Sequence, residues 1–139
     1  MKYSASSIVK EIRNAKRVFL IGNGGSYANA AHICNDLLAC GIAAFSLDAP
    51  TLTASANDYG YETVFARWLT VVATREDLLI ALSGSGRSAN IVRAIAEAER
   101  IGMKHVLVTD FLETRDMQQS EEDQLALGHE LRRLLDARS

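Results

Sequence analysis

With 139 residues, 48% of them apolar, the chain is the size of one ordinary domain and has enough apolar content to bury a real core, so residues 1–139 are expected to form a single domain. A formal net charge of -2 leaves no general basic field of the kind that nucleic-acid binding requires, which argues against nucleic acid as a ligand. No apolar run approaches the roughly 20 residues that span a bilayer, and the start, Met1-Lys2-Tyr3-Ser4-Ala5, lacks an apolar signal core, so the expectation is a cytoplasmic protein with no membrane partner.

In chain order, Ser4 or Ser6 stands ready to cap a first helix running to about Asn14. Val18 to Ile21 is a continuous apolar run ending in glycine, which predicts a buried strand. Tyr27 to Cys40 reads as a helix closed by Gly41, and Ile42 to Leu47 as a second strand. Asp48-Ala49-Pro50 then breaks regularity, with a short helix expected over Thr51 to Ala56. Tyr61 to Thr74 is amphipathic, with Val64, Phe65, Trp68, Leu69 and Val72 spaced for one face. Leu78 to Leu82 is the third strand, Ser88 to Ile101 a helix stopped by Gly102, and His105 to Thr109 the fourth strand. Residues 111–119 carry no recognisable fifth strand and lead into a last helix from about Ser120 to Arg138. Strands alternating with helices predict an α/β fold, a three-layer α/β/α sandwich around a parallel sheet of four or five strands, with ligands at the carboxyl ends of the strands.

Two loops fall at that edge. Leu82-Ser83-Gly84-Ser85-Gly86-Arg87-Ser88 follows a strand and opens a helix, crowding hydroxyls, glycines and backbone amides together. Such a loop cradles phosphate, because glycine lets the backbone approach the ligand, serines donate hydrogen bonds, and the helix start adds unbonded N–H groups and a positive dipole end. Gly22-Asn23-Gly24-Gly25-Ser26 sits in the same context after the first strand. It partly imitates a dinucleotide fingerprint, with Asp48 where a ribose-binding acid would fall, but Tyr27 occupies the third glycine position and the second loop has no part in that scheme. One phosphorylated ligand, a phosphosugar, accounts for both loops.

His32 and Asp36, four residues apart, project from one side of a predicted helix. That spacing suits a metal, an acid and base pair, or an ordinary surface contact. His129 lies in the last helix behind Glu121, Glu122 and Asp123, with Glu122 nearly in line and Glu121 displaced by roughly 80° at about 100° per residue. Asn57 and Asp58 are expected in a turn whose polar groups can bind sugar hydroxyls. Trp68 and Phe65 read as core, His105 as a packed or edge histidine, and Cys34 and Cys40 as thiols too far apart around their helix to pair.

In four blocks the chain resembles the sugar isomerase (SIS) domain family, most closely its phosphoheptose isomerase branch. The blocks are Gly22 to Ser26 with His32 downstream, Ala56 to Phe65, Ser83 to Asn90, and Leu127-Gly128-His129. The resemblance implies conversion of sedoheptulose 7-phosphate into D-glycero-D-manno-heptose 7-phosphate, in a homotetramer with active sites between subunits. By position it implies substrate contacts at Asn23, Gly24, Gly25, Ser26, Asn57, Asp58 and Glu121, and phosphate contacts at Ser83, Gly84, Ser85 and Ser88. It also implies catalysis by Asp36 and His129, and zinc (Zn2+) held by His32, Asp36, Glu121 and His129. A phosphosugar-binding or protein-interaction member without turnover is the alternative. Asp36 stands where the family has a glutamate, Glu121 where it has a glutamine and Gly84 where it has a threonine. The family's N-terminal helical extension and the segment carrying its fifth strand are expected to be shortened or missing.

Overall fold

Strands β1 (Val18–Gly22) and β3 (Leu78–Leu82) are buried at every position, because each is flanked by a strand on both edges and covered by helices on both faces. The computed structural model describes residues 4–109 and 116–136. Its elements are α1 (Ala5–Asn14), β1, α2 (Gly25–Ala39), β2 (Ala44–Ser46), α3 (Ala49–Tyr59), a 3-10 turn (Tyr61–Thr63), α4 (Val64–Val72), β3, α5 (Ala89–Ile101), β4 (Lys104–Val108) and α6 (Met117–Asp136). The sheet is parallel, in the order β2-β1-β3-β4, with four strands among the described residues.

Side-chain alternation along the strands divides the core in two. Val18, Leu20, Leu78, Ile80 and Val106 meet Ile8 and Ile12 of α1, Ile33 and Leu37 of α2, and Leu131 and Leu135 of α6. Phe19, Ile21, Leu79 and Ala81 face Phe65 and Leu69 of α4 and Ile91, Ala94 and Ala98 of α5. Phe65 is fully buried, and Trp68 meets Phe19 edge-on at 5.2 Å. The expected three-layer α/β/α architecture is the observed one.

Several boundaries differ from the sequence reading, each for a local reason. α2 begins at Gly25 rather than Tyr27, with Gly24 at φ 57°, ψ -121° turning the chain into it. β2 is three residues long because Leu37 O takes the Ile42 N–H and the ladder starts only at Ala44. Asp48-Ala49-Pro50 starts a helix instead of breaking one: the Asp48 carboxylate accepts the Thr51 N–H, and Pro50 sits in the first turn, where no N–H is needed. α3 therefore runs to Tyr59 and takes Asn57 and Asp58 into its last turn. α6 begins at Met117, since Asp116 accepts the N–H groups of Gln118 and Ser120. Most of the connection expected to lack a fifth strand, residues 110–115, and the tail beyond Asp136 lie outside the described residues.

Candidate functional site

The strand order reverses between β1 and β3, because β2 continues outward on one side of β1 and β3 lies on the other. Ligands of open α/β sheets bind at that reversal, beyond the carboxyl ends of the strands. Gly22 pairs with Leu82, so the loops leaving β1 and β3 start side by side. Asn23 ties them together: its Nδ2 donates to Asn90 Oδ1 at 2.9 Å, and its Oδ1 accepts from Asn90 Nδ2 at 2.8 Å and from Tyr61 Oη at 2.6 Å. Asn90 is 2% exposed and stands in the first turn of α5, so the loop junction is anchored in the core.

Within the second loop, Ser83 Oγ accepts the Gly86 N–H at 3.0 Å and Ser85 Oγ accepts the Arg87 N–H at 3.1 Å. Each hydroxyl keeps its proton to donate. Gly86 sits at φ 68°, a conformation that favours glycine. Ser88 caps α5 without using its side chain on the helix, which leaves that hydroxyl for other acceptors. The starts of α2 and α5 both point at this junction and add positive dipole ends.

A second constellation lies farther along the seam between α2 and α6. The two helices run parallel, matched in ascending order: Asn29 Nδ2 donates to Glu121 O and to Gln124 Oε1, Gly128 abuts Ile33, the rings of His32 and His129 stand 5.6 Å apart, and Arg132 Nη1 donates to Asp36 Oδ1 at 2.8 Å. A Cβ on Gly128 would come within 2.5 Å of Ile33 Cγ1, so only glycine permits this approach. One donor atom each from His32, Asp36 and His129 lies within 4.8 Å of the others. Asp36 is 4% exposed; its Oδ2 has no hydrogen-bond partner and faces His32 Nε2 at 3.4 Å. Two imidazoles and an open carboxylate oxygen form a donor set chemically suited to zinc, and equally a set able to move protons. The bond to Asp36 holds the Arg132 guanidinium above its ordinary pKa.

The remaining expected residues fall in varied places. Ser26 is turned inward, its hydroxyl donating to Gln124 Oε1 at 3.0 Å. Gly24 is exposed at the loop, and the space beside Gly25 where a Cβ would stand is filled by the Glu121 carboxylate. Glu121 is thus beside the first loop, and at about 1.5 Å per residue along α6 it stands about 12 Å from His129 on the axis. One copy of the chain does not bring Glu121 to the three-residue cluster. Asn57 and Asp58 are exposed at the end of α3, bonded to each other at 3.3 Å. Cys34 and Cys40 form no disulfide, and their thiol pKa values are raised chiefly by burial, so neither has the character of a nucleophile. Three residues escape a sequence reading of the site. Arg132 and Asn90 give no local signal, whereas a glycine inside a long helix, at Gly128, is a recognisable mark of close approach.

Comparison with known proteins gives a coherent set of likenesses. The model of the SIS domain matches residues 1–110. The chain is 42% identical over 113 residues to the phosphoheptose isomerase of a Nitratiruptor species, covering 75% of this chain and 60% of that protein. It is 39% identical over 112 residues to that of a Helicobacter pylori strain, covering 75% and 58%. The chain therefore spans about three-fifths of the length of these curated relatives. Among solved structures, the phosphoheptose isomerase from Neisseria gonorrhoeae superposes with a TM-score of 0.85 at 26% identity, over 96% of this chain and 83% of that one. The phosphoheptose isomerase from Francisella tularensis gives 0.87 at 25% identity, over 96% and 84%.

Proposed function

The chain belongs to the SIS-domain family, and from that membership we propose that residues 1–139 form one SIS domain that isomerises sedoheptulose 7-phosphate to D-glycero-D-manno-heptose 7-phosphate. The carrying observation is that Asp36 and His129 meet on the α2–α6 seam of a fold whose β1 and β3 ends bear two glycine- and hydroxyl-rich loops. Likeness to phosphoheptose isomerases supports the seven-carbon substrate.

Isomerisation of a ketose takes a proton from the carbon beside the carbonyl, passes through an enediol, and returns a proton to the former carbonyl carbon. Asp36 and His129 divide these transfers. Arg132 fixes one oxygen of the Asp36 carboxylate and leaves Oδ2 as the atom that can take a proton. His129 is exposed and can exchange its proton with substrate oxygens. Ser83, Ser85 and Ser88 donate to the phosphate; Asn23, Gly24, Gly25, Asn57, Asp58 and Glu121 are the proposed substrate contacts. His32, Asp36 and His129 would hold zinc, and the ion when bound polarises the carbonyl. By likeness to these isomerases we take the assembly as a homo-oligomer, a tetramer in this reading, with sites completed between subunits; Glu121, the fourth zinc ligand of the reading, lies against Gly25 in the single copy. A cytoplasmic setting belongs to the same proposal.

The test is incubation of the protein with sedoheptulose 7-phosphate, with and without zinc, followed by detection of the aldose. His129→Ala is expected to abolish turnover while keeping phosphosugar affinity. Absence of product under both conditions overturns the isomerase reading and leaves a phosphosugar-binding protein.

A further inference from the structure

Ser120 stands in the first turn of α6, 3% exposed, and its Oγ has no hydrogen-bond partner. An unbonded hydroxyl in so buried a place is unfavourable unless something else engages it. It lies against the second loop: the point where a Cβ on Gly84 would stand is 2.9 Å from Ser120 Oγ, 3.1 Å from Met117 Sδ and 3.5 Å from Ser120 Cβ. Ser83 and Ser85, on either side of Gly84, carry hydroxyls whose protons are available, and Gly84 itself carries none. The absent side chain leaves a gap in the row, and α6 fills it with an oxygen.

We propose that Ser120 is a further phosphate-binding residue, supplying across the α6–loop contact the hydroxyl that position 84 lacks. This rests on the phosphosugar reading of the loop. The Ser120 hydroxyl donates to a phosphate oxygen beside those bound by Ser83 and Ser85, and ligand binding gives the buried Oγ its missing partner. The same contact links the phosphate site to α6, the helix that bears His129.

Two properties separate this role from a packing role. A hydroxyl unbonded in the ligand-free protein adds nothing to its stability, so Ser120→Ala should melt at the parent temperature or slightly above it. A lost hydrogen bond to a charged group should weaken binding of sedoheptulose 7-phosphate roughly tenfold. Because the contact is to phosphate, inorganic phosphate, measured as a competitor, should weaken by the same factor. The double variant Gly84→Ser/Ser120→Ala returns a hydroxyl to the loop, with Cβ atoms at the ordinary separation of 3.5 Å and the exposed Met117 side chain, whose Sδ is 3.1 Å away, giving way, and should recover most of the affinity.

The assay is calorimetric titration of the full chain with sedoheptulose 7-phosphate and with phosphate, alongside thermal unfolding, for the parent, Ser120→Ala, the double variant and Ser83→Ala. Parent-like affinity in Ser120→Ala while Ser83→Ala is weakened overturns this inference alone. So does a Ser120→Ala loss matched by lower ligand-free stability, or one seen for the sugar phosphate and not for phosphate. A parent that binds neither ligand overturns the phosphosugar reading and this inference with it.

Discussion

Replacing Gly128 by alanine tests whether close packing of α6 on α2 is what brings the two histidines together. The added methyl would lie 2.5 Å from Ile33 Cγ1 and 3.0 Å from Cδ1, whereas carbon atoms rest at about 3.5–4.0 Å. Ile33 is 1% exposed and cannot swing into solvent, so the helices must part by about an ångström. An overlap that deep belongs near the upper end of overpacking costs, about 3 kcal/mol. Alanine's better helix propensity offsets about 1 kcal/mol, so the net loss is about 2 kcal/mol, or a fall in Tm of roughly 6 °C for a chain of this size. Ile33→Ala would leave only its Cβ, 3.7 Å from the new methyl, in ordinary contact. Alone it should destabilise by about 2–5 kcal/mol through the cavity it opens, but in the double variant the overpacking cost disappears while the propensity gain stays, so the two effects should fall short of additivity by about 3 kcal/mol. Denaturant unfolding of the four proteins measures this coupling, and zinc titration should show weaker binding in Gly128→Ala alone. Additive losses, or a Gly128→Ala protein as stable as the parent, refute the claim that this glycine sets the seam.

Removal of Arg132 as Arg132→Ala should lower the denaturant midpoint clearly, since it takes the charged hydrogen-bond donor from an Asp36 carboxylate that is 4% exposed and whose Oδ2 already has no hydrogen bond. Asp77 is 1% exposed and its carboxylate accepts bonds from Arg17 on both oxygens and from the Thr74 N–H at 2.8 Å; Asp77→Ala should cost about 3 kcal/mol by the same measurement, for it leaves Arg17 and the Thr74 amide without their acceptor. Glu97 has its pKa lowered from 4.5 to about 2, first by its hydrogen bond to Arg100 and further by one from Thr70. Its contribution is complete above about pH 4.5 and is lost as pH falls toward 2. The solvent-facing guanidinium screens it to about 1 kcal/mol. Glu97→Gln should flatten the stability curve over that window, and an unchanged slope would refute the assignment.

How much of the molecule is legible in the sequence depends on the range of the interaction. β1 and β3 are readable as continuous apolar runs because both their faces are buried. The start of α3 is not, because Asp48 and Pro50 serve equally as turn residues and as cap and first-turn residues, and only the Thr51 amide bond to Asp48 distinguishes the two. β2 is shorter than its apolar run because a carbonyl from the end of α2 claims the Ile42 N–H, a competition invisible in apolar patterning. In the site, the spacing of His32 and Asp36 is a local fact of helix geometry. Their partnership with His129 and Arg132 is made by packing of α6 on α2, far apart in sequence, and no local pattern encodes it. Asn23 stands out in the sequence as a loop residue, but its bonds to Asn90 and Tyr61, far away in the chain, have no local signal.

The parallel run of α2 and α6 sets the spacing of the whole proposed site. Both helices leave the loop junction together, Gly25 against Glu121, and reach the His32–His129 pair about 10–12 Å later along their axes. Under the proposed function, phosphate-holding and proton-moving groups are thus at two heights along one seam, with Glu121 and His129 eight residues apart on α6. In the same proposal, a second copy meets the cluster on the side where His32 and His129 are exposed. Under the proposed function, phosphate binding is then a property of one protomer and turnover a property of the assembly. A variant that weakens association should lose rate on dilution while its affinity for inorganic phosphate stays constant.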